Sequence, residues 1–304
     1  MEAVRDVREK DISVNEIRGI NQQTFVQKMK AYKRQPLSLC LWLLVVAAAI
    51  ITVGVLLFLA GYILVNGIPN IKPELFEWEY NTDNVSMMPA MINTLYMTCL
   101  TLLMAVPVGI FSAIYLVEYA KRGSKLVNIV RVTTETLQGI PSIVFGLFGY
   151  LMFCIGFKWG YTLLAGAITL AIMVLPVIMR TTEEALLAVP DSYREGSFGL
   201  GAGRLRTVFR IVLPSAMPGI FSGIILAIGR IVGETAALIF TAGTVATAAT
   251  GLFDSTRTLA VHMYCLLSEG LYMKQAYATA VILLVMVLLI NAFSSFIAKK
   301  FTKK

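Results

Sequence analysis

Two opposite charges stand four residues apart within an apolar stretch of the sequence, at Arg230 and Glu234, and Thr235 follows them. A charge at the centre of a membrane helix costs about 2.5–3.5 kcal/mol unless it is paired or hydrated. Residues i and i+4 share one helix face, so this pair can partly neutralise itself. Two interpretations stay open: an ion pair that only fixes neighbouring helices, or a hydrated path in which Arg230 attracts an anion and Glu234 eases its release. Because intramembrane charges usually serve function, the sequence favours the path.

A second polar group, Glu135 and Gln138, stands at the start of another apolar stretch. Glu135 follows Arg131 by four residues, so a helix would let the two pair near the membrane interface. Such a pair and a gate in the path are both open interpretations. The segment Gly139-Ile140-Pro141 comes next and is expected to loosen the helix, because proline lacks the backbone N–H that a helix needs.

The longest connection on the basic side of the chain, residues 180–214, predicts a helix–turn–helix at the membrane surface. Ser192-x-x-Glu195 has the spacing of a capping box, in which the two side chains bond the first turn of a helix. Glycines around Gly201 then favour a sharp turn, and a second helix is expected from about Arg204. A basic amphipathic connector resting on lipid headgroups is the alternative interpretation.

The remaining reactive residues indicate neither catalysis nor a cofactor. No Walker A sequence and no G-x-S-x-G element occurs, and no paired His, Asp and Glu residues suggest a metal site. The four cysteines form no C-x-x-C pair, which argues against zinc and redox chemistry. The net charge of +8 is spread over short connections and forms no single basic face, so nucleic acid is not an expected partner. We expect no catalytic residue, no bound metal and no cofactor in this chain.

The elements that must position these residues are membrane helices. Apolar residues make up 57% of the chain and charged residues 14%, whereas soluble domains carry about 25% charged residues. A span needs about 20 mostly apolar residues. The fold class predicted is therefore an all-α membrane protein with lipid as its main surroundings. Six stretches qualify as spans: Leu37–Val65, Met88–Leu116, Thr136–Phe157, Tyr161–Met179, Met217–Thr241 and Ala276–Ala298.

Lysine and arginine are distributed unevenly between the two sides of this six-span arrangement. Of the 26 lysines and arginines, all but five lie in the tails and connections on one side of the predicted spans. The five exceptions are Lys72, Lys158, Arg230, Arg257 and Lys274. The positive-inside rule then predicts that the N and C termini are both cytoplasmic. The organisation expected is a cytoplasmic tail (1–36), a first anchor helix (37–65), a five-helix core (88–298) containing the 180–214 loop, and a basic tail (299–304).

Two ladders of small residues, starting at Gly219 and at Gly229, lie within the fifth predicted span. Small residues at a spacing of four allow two helix backbones to approach closely. We expect both ladders to mark tight helix packing.

The 180–214 loop resembles the EAA loop of bacterial ABC importer permeases, whose pattern is E-A-A-x3-G-x9-I-x-L-P. The corresponding residues are Glu195, Gly196, Ser197, Gly201, Ile211, Leu213 and Pro214, with every spacing kept and small residues in place of the two alanines. The resemblance implies the six-helix fold of type I ABC importer permeases. It also implies that the loop is a coupling helix seated on a cytoplasmic ATPase, with Arg204 and Arg206 as contacts.

Two further segments, Leu137–Gly146 and Gly233–Gly243, resemble phosphate importer permeases, and most closely their A-type subunits. This resemblance implies a subunit for inorganic phosphate import in the bacterial inner membrane. It also implies as partners a homologous second permease, two ATPase subunits that use ATP, and an extracytoplasmic phosphate-binding protein. A permease for sulfate or molybdate and an ion-gradient-driven transporter are the alternatives.

Overall fold

The computed structural model describes residues 36–121 and 123–302, and this part of the chain is helical with no β-strand. The tail predicted for residues 1–36 lies outside the described residues except for Pro36, as do the last two residues of the basic tail. Two units are distinguished, one ending at Tyr62 and the other beginning at Ile63. The first unit contains most of helix α1, Pro36–Gly67, which is apolar all round, as a membrane span is.

The second unit carries all the candidate residues. Its helices are α2 (Met88–Ile114), α3 (Lys125–Gln138), α4 (Ser142–Gly149), α5 (Leu163–Leu187), α6 (Asp191–Gly199), α7 (Arg204–Thr207), α8 (Leu213–Val232), α9 (Ala236–Thr241), α10 (Leu259–Glu269) and α11 (Met273–Thr302). Three π-helical turns prolong or join them: Tyr115–Tyr119 after α2, Tyr150–Gly156 after α4, and Val208–Val212 between α7 and α8. Short 3₁₀ turns at Ile68–Asn70 and Pro73–Phe76 precede α2.

The packing of α5 against α8 depends on small residues. A methyl group at Gly219 would meet the side chain of Ala185, and one at Gly223 would meet Thr181, so only glycine lets these backbones approach so closely. The prediction of close packing is confirmed for this ladder. In the second ladder it is wrong for Gly229, where a methyl group would meet nothing within 4 Å, whereas Ala237 of the same ladder lies close to the backbone of Gly146.

The third predicted span is not one helix. Helix α3 and the segment Ser142–Gly156 meet at a bend of 103°. Pro141 lacks an N–H and also disfavours the helical conformation of the residue before it, so the helix that reaches Gln138 cannot continue. The described chain has five helices that are long and apolar enough to cross a membrane, or six if this bent pair is one span.

The helix that contains most of the fifth predicted span, Met217–Thr241, has other bounds than that span. The helical segment begins earlier, since α7, the π-helical turn and α8 form one continuous stretch, Arg204–Val232. It also ends earlier, because the chain leaves the helix at Gly233 and restarts at Ala236 in α9. Helix α9 packs instead on α4, where Gly146 leaves room for the backbone of Ala237.

Candidate functional site: the α6–α7 hairpin and the break after α8

The predicted helix–turn–helix is present, formed by α6 and α7. Gly201 has φ +80°, a left-handed conformation that costs residues with a Cβ, and it closes the turn. The N–H of Ala202 donates to the carbonyl of Ser197 at 3.1 Å across this turn. The predicted capping box is wrong: helix α6 begins at Asp191 after Pro190, and no side chain bonds its first turn, because Ser192 already lies inside the helix.

Small side chains in this hairpin serve two different purposes. The Ser197 hydroxyl lies 2.8 Å from the Thr207 hydroxyl in a buried contact that ties α6 to α7. A methyl group at Gly196, by contrast, would meet nothing within 4 Å, so that face of α6 is open. Of the motif residues, Ser197 is buried and Ile211 and Leu213 are half-buried, while Glu195, Gly196, Gly201, Arg204, Arg206 and Pro214 are exposed.

The outer surface of the hairpin combines apolar and basic side chains. Leu200 at the turn is 91% exposed and Leu205 is 66% exposed, so both side chains are open to a partner. Arg206 and Ile211 line a neighbouring groove of about 550 Å³ with Leu200. Arg204 lies over the Tyr119 ring, with the guanidinium carbon 5.6 Å from the ring centroid. This surface has the composition of a docking site for another protein.

An arginine that the sequence reasoning missed anchors the hairpin. Arg194 of α6 forms a largely enclosed ion pair with Glu118, with Nη2 2.7 Å from Oε1, in the π-helical turn that prolongs α2. It also donates to the carbonyls of Leu186 and Val189 at 2.9 and 2.8 Å, which belong to the end of α5. Helix ends have carbonyls without helical partners, so one side chain here both caps α5 and fixes α6 to α2. Only the position of Arg194 next to Glu195 in the motif could have drawn attention to it.

Arg230 lies in the last turn of α8, where the helix C-terminus favours a positive charge. The predicted pairing with Glu234 is wrong, because the helix ends between the two residues. Within the described residues neither forms an ion pair, and Glu234 instead accepts a bond from the N–H of Ala237 at 3.2 Å, at the start of α9. The Thr235 hydroxyl donates to the carbonyl of Gly233 at 3.4 Å. All three candidate side chains are half-buried around a break in the helix.

The predicted pairing of Glu135 with Arg131 is also wrong, since Arg131 forms its ion pair with Glu183 of α5. Glu135 lies beside this pair at a cavity of about 210 Å³ between α3 and α5. Gln138 donates from Nε2 to the carbonyl of Pro176 at 3.2 Å, so it links the end of α3 to α5. In the part of the chain that the structure describes, neither Glu135 nor Gln138 bonds to the group around Arg230.

No group of three or more His, Cys, Asp and Glu residues in the described ranges is arranged to hold a metal ion. The chemistry open to the candidate residues is therefore ion pairing, hydrogen bonding and docking. A half-buried arginine next to a helix break can attract an oxyanion, because the guanidinium group offers several N–H donors to it. The exposed hairpin can bind a partner protein.

Comparison with known proteins identifies the family of the chain. Residues 84–304 match the family described as binding-protein-dependent transport system inner membrane component. The probable ABC transporter permease protein YqgI of Bacillus subtilis is 35% identical over 243 residues, which cover 73% of this chain and 81% of that protein. The phosphate transport system permease protein PstA 2 of Mycobacterium tuberculosis is 35% identical over 218 residues, 70% of each chain.

Solved structures show the same fold at low identity. A chain of a bacterial alginate ABC transporter superposes with a TM-score of 0.63 at 17% identity, covering 90% of this chain and 98% of that one. A chain of the MetNI methionine ABC transporter gives 0.56 at 22% identity, covering 69% and 93%. With the matched family and the apolar helices, these results settle the class of protein. The chain belongs to the inner membrane components of binding-protein-dependent transport systems, and it is a multi-pass permease of the bacterial plasma membrane.

Proposed function

We propose that this chain is the permease subunit of an ATP-driven, binding-protein-dependent importer of inorganic phosphate. The substrate is suggested by relatives that are named phosphate transport system permeases, among them one of Pasteurella multocida that is 38% identical over 182 residues. In this proposal the chain has the type I fold, with the bent pair of helices as its third of six spans. The lysines and arginines support cytoplasmic N and C termini.

One continuous helix connects the hairpin to Arg230, and this observation carries the proposal. The stretch Arg204–Val232 has 29 residues, so it is about 43 Å long, enough to cross the hydrocarbon core. A movement imposed on the hairpin at its start would reach the helix break at its end. ATP hydrolysis on one side of the membrane could in this way change the surroundings of Arg230.

The partners follow from this arrangement. One of two cytoplasmic ATPase subunits, which bind and hydrolyse the ATP, would dock on the open face of α6 and on the surface around Leu200, Arg204 and Arg206. A homologous second permease would complete the path, and an extracytoplasmic phosphate-binding protein would deliver the substrate. This chain itself contributes no cofactor and no catalytic residue.

Arg230, Thr235 and Glu234 would line the path where α8 is interrupted. Arg230 has no carboxylate partner within the described residues, so its charge is available to an oxyanion. Glu135 and Gln138 would lie at the cytoplasmic end of the path, beside the ion pair of Arg131 and Glu183. A helix broken at Gly233 can adjust there without disturbing the packing of α5 on α8.

The complete complex in proteoliposomes tests the proposal through uptake of radiolabelled phosphate, with sulfate and molybdate as competitors. We expect ATP-dependent phosphate uptake that falls at least tenfold in Arg230→Ala, while Arg230→Lys keeps part of the activity because the charge remains. Assembly of all subunits should be unchanged in both. Preferential sulfate or molybdate uptake would contradict the phosphate assignment, and uptake without the ATPase subunits would contradict ATP-driven import.

A further inference from the structure

Buried polar atoms without a partner are concentrated in one short segment. Of the eight such side-chain atoms in the described part of the chain, six belong to residues 256–262. They are the hydroxyls of Thr256 and Thr258, Nε and Nη2 of Arg257, and both ring nitrogens of His262. Folded proteins leave few buried polar atoms unbonded, so a group of six in seven residues calls for a physical reason.

The buried charge of Arg257 is also without a partner. Arg257 is only 5% exposed, and within the described residues no carboxylate lies within salt-bridge distance of it. A buried guanidinium without a counter-charge is costly, so it is normally paired. The Tyr80 ring lies over it instead, with its centroid 4.6 Å from the guanidinium carbon. The same ring meets the His262 imidazole edge to face, at 6.1 Å between centroids.

The backbone around these side chains is held firmly, as the frame of a binding site must be. The Asn93 amide donates to the carbonyls of Thr247 and Arg257 at 3.0 and 3.2 Å and accepts from the N–H of Ala249 at 2.9 Å. The next residue, Thr94, accepts from the N–H of Leu259 at 2.8 Å. The backbone of the segment before α10 is therefore fixed to α2 at Arg257 and Leu259.

The chemistry of the group selects its ligand. Arg257 contributes only donors, the neutral imidazole of His262 contributes one donor and one acceptor, and the two hydroxyls can each donate. Donors therefore predominate, and the acceptor nitrogen of His262 suits an oxyanion that keeps a proton. The N-terminus of the 11-residue helix α10 adds a partial positive charge at the same place. An occupant must therefore be negatively charged and rich in acceptors, which describes a small tetrahedral oxyanion.

The position of the group relates it to the proposed path. Leu259, two residues after Arg257, shares a buried apolar cluster with Ala90 of α2 and Val232 at the end of α8. Val232 is two residues from Arg230, so this cluster joins the segments of the chain that carry the two arginines. Tyr80 is half-buried and its ring contacts both Arg257 and His262, so the ring would have to rotate away before an anion could take its place beside Arg257.

We propose that Arg257, His262, Thr256 and Thr258 form a second oxyanion-binding site, which the Tyr80 ring covers and which receives phosphate before it reaches Arg230. The site rests on the proposed function for the identity of its ligand. Its physical basis, a buried cation with unpartnered donors, does not depend on that function.

Thermal unfolding of the purified complex tests the site without measuring transport. Inorganic phosphate should raise the melting temperature of the wild-type complex, and chloride at the same ionic strength should not. Arg257→Gln should abolish this increase, whereas Arg230→Ala, with the site intact, should keep at least half of it. Equal protection by chloride, or the same phosphate protection in Arg257→Gln as in the wild type, would overturn the proposal.

Tyr80→Ala provides a second test that keeps every polar group of the site. Removing the ring frees the guanidinium group, so half-maximal protection should require several-fold less phosphate, while Tyr80→Phe should behave as the wild type. An unchanged phosphate requirement in Tyr80→Ala would overturn the proposal even if Arg257→Gln fails to fold. If the wild-type complex imports no phosphate but these shifts are seen, the proposed function fails and the oxyanion site stands.

Discussion

Arg194 and Arg257 are both largely enclosed arginines, but the groups that surround them differ. Arg194 is 14% exposed, pairs with Glu118 and Asp191, and donates to two backbone carbonyls. Arg257 is 5% exposed, has an aromatic ring above it, and keeps two nitrogens without a partner. The first guanidinium group has its charge and its donors satisfied within the chain, and the second has neither.

This difference separates a structural arginine from one that is available to a ligand. A fully bonded guanidinium group fixes the elements that hold it, because any movement breaks several charge-assisted bonds at once. Such rigidity suits a hairpin that must transmit a movement from a partner. An unsatisfied guanidinium group makes the folded protein less stable than it could be, and that cost is recovered only when something with acceptors binds. Stability and binding thus make opposite demands on the same side chain.

The largest expected effect is on protein stability when the ion pair of Arg194 is broken. Glu118→Gln removes the enclosed counter-charge of Arg194 and leaves only the exposed carboxylate of Asp191 beside it, which should lower the free energy of unfolding by up to about 3 kcal/mol. The matched control is Glu184→Gln, which breaks the Arg180–Glu184 pair, where both side chains are more than half exposed. An exposed pair contributes about 0–1 kcal/mol, so this control should change little. Denaturant or thermal unfolding in detergent measures both variants.

The double variant Glu118→Leu/Arg194→Met sharpens this test. It removes both charges together, so it should recover much of the stability that Glu118→Gln loses, while the docking of the ATPase suffers because α6 is no longer fixed. Equal losses in Glu118→Gln and Glu184→Gln would show that Arg194 does not depend on its pair. The contrast with Arg257 would then disappear.

The region around Arg257 should make protein stability depend on pH, through His262. Burial, and then the charge of Arg257, lower the pKa of His262 to about 3 from an ordinary value of 6.5. Below pH 6.5 the imidazole of His262 is therefore protonated in the unfolded chain. In the folded chain it stays neutral down to about pH 3. Stability should be intact above pH 6.5 and should fall as the pH decreases through that interval.

His262 is the only histidine in the chain, so His262→Gln isolates its contribution. We expect the melting temperature of the wild type to fall more than that of the variant between pH 8 and pH 5. Phosphate in the site would raise the pKa of His262 through its negative charge, and the loss should then be smaller. Identical pH profiles of the wild type and His262→Gln would show that the imidazole is not held neutral by its surroundings.

The parts of this structure that the sequence predicted are those with local causes. Long apolar runs identify membrane helices because the bilayer demands about 20 such residues. The ladder at Gly219 and Gly223 predicted close packing because helical periodicity places these residues on one face. The turn at Gly201 was likewise expected, since glycine is the residue that tolerates a left-handed conformation.

The parts that the sequence did not predict depend on residues far apart in the chain. Arg131 pairs with Glu183 instead of its neighbour Glu135, and no local spacing shows this. Arg257 looked like one more charge of an outer loop, but it is buried because Asn93, 164 residues away, bonds its carbonyl. The helix break after Val232 exists because α9 packs on Gly146 of α4, a contact that hydropathy does not contain.

The smallest expected effect concerns the turn that follows the helix of Arg194. If the bonds of Arg194 alone fixed the hairpin, a change at Gly201 would leave docking unaffected. Gly201→Val forces a β-branched residue to φ +80°, at a cost of about 1–2 kcal/mol or a changed turn, so binding of the ATPase should weaken several-fold and hydrolysis should be partly uncoupled from transport.

Gly196→Ala is the matched control for this change. Position 196 lies inside α6 with open space around it, and alanine favours the helix by about 0.5–1 kcal/mol over glycine. Affinity for the ATPase, measured by co-purification and by titration in detergent, should therefore be kept in Gly196→Ala and lost in part in Gly201→Val. Wild-type affinity and coupling in Gly201→Val would mean that the anchoring by Arg194 is sufficient and that the turn geometry does not contribute to docking.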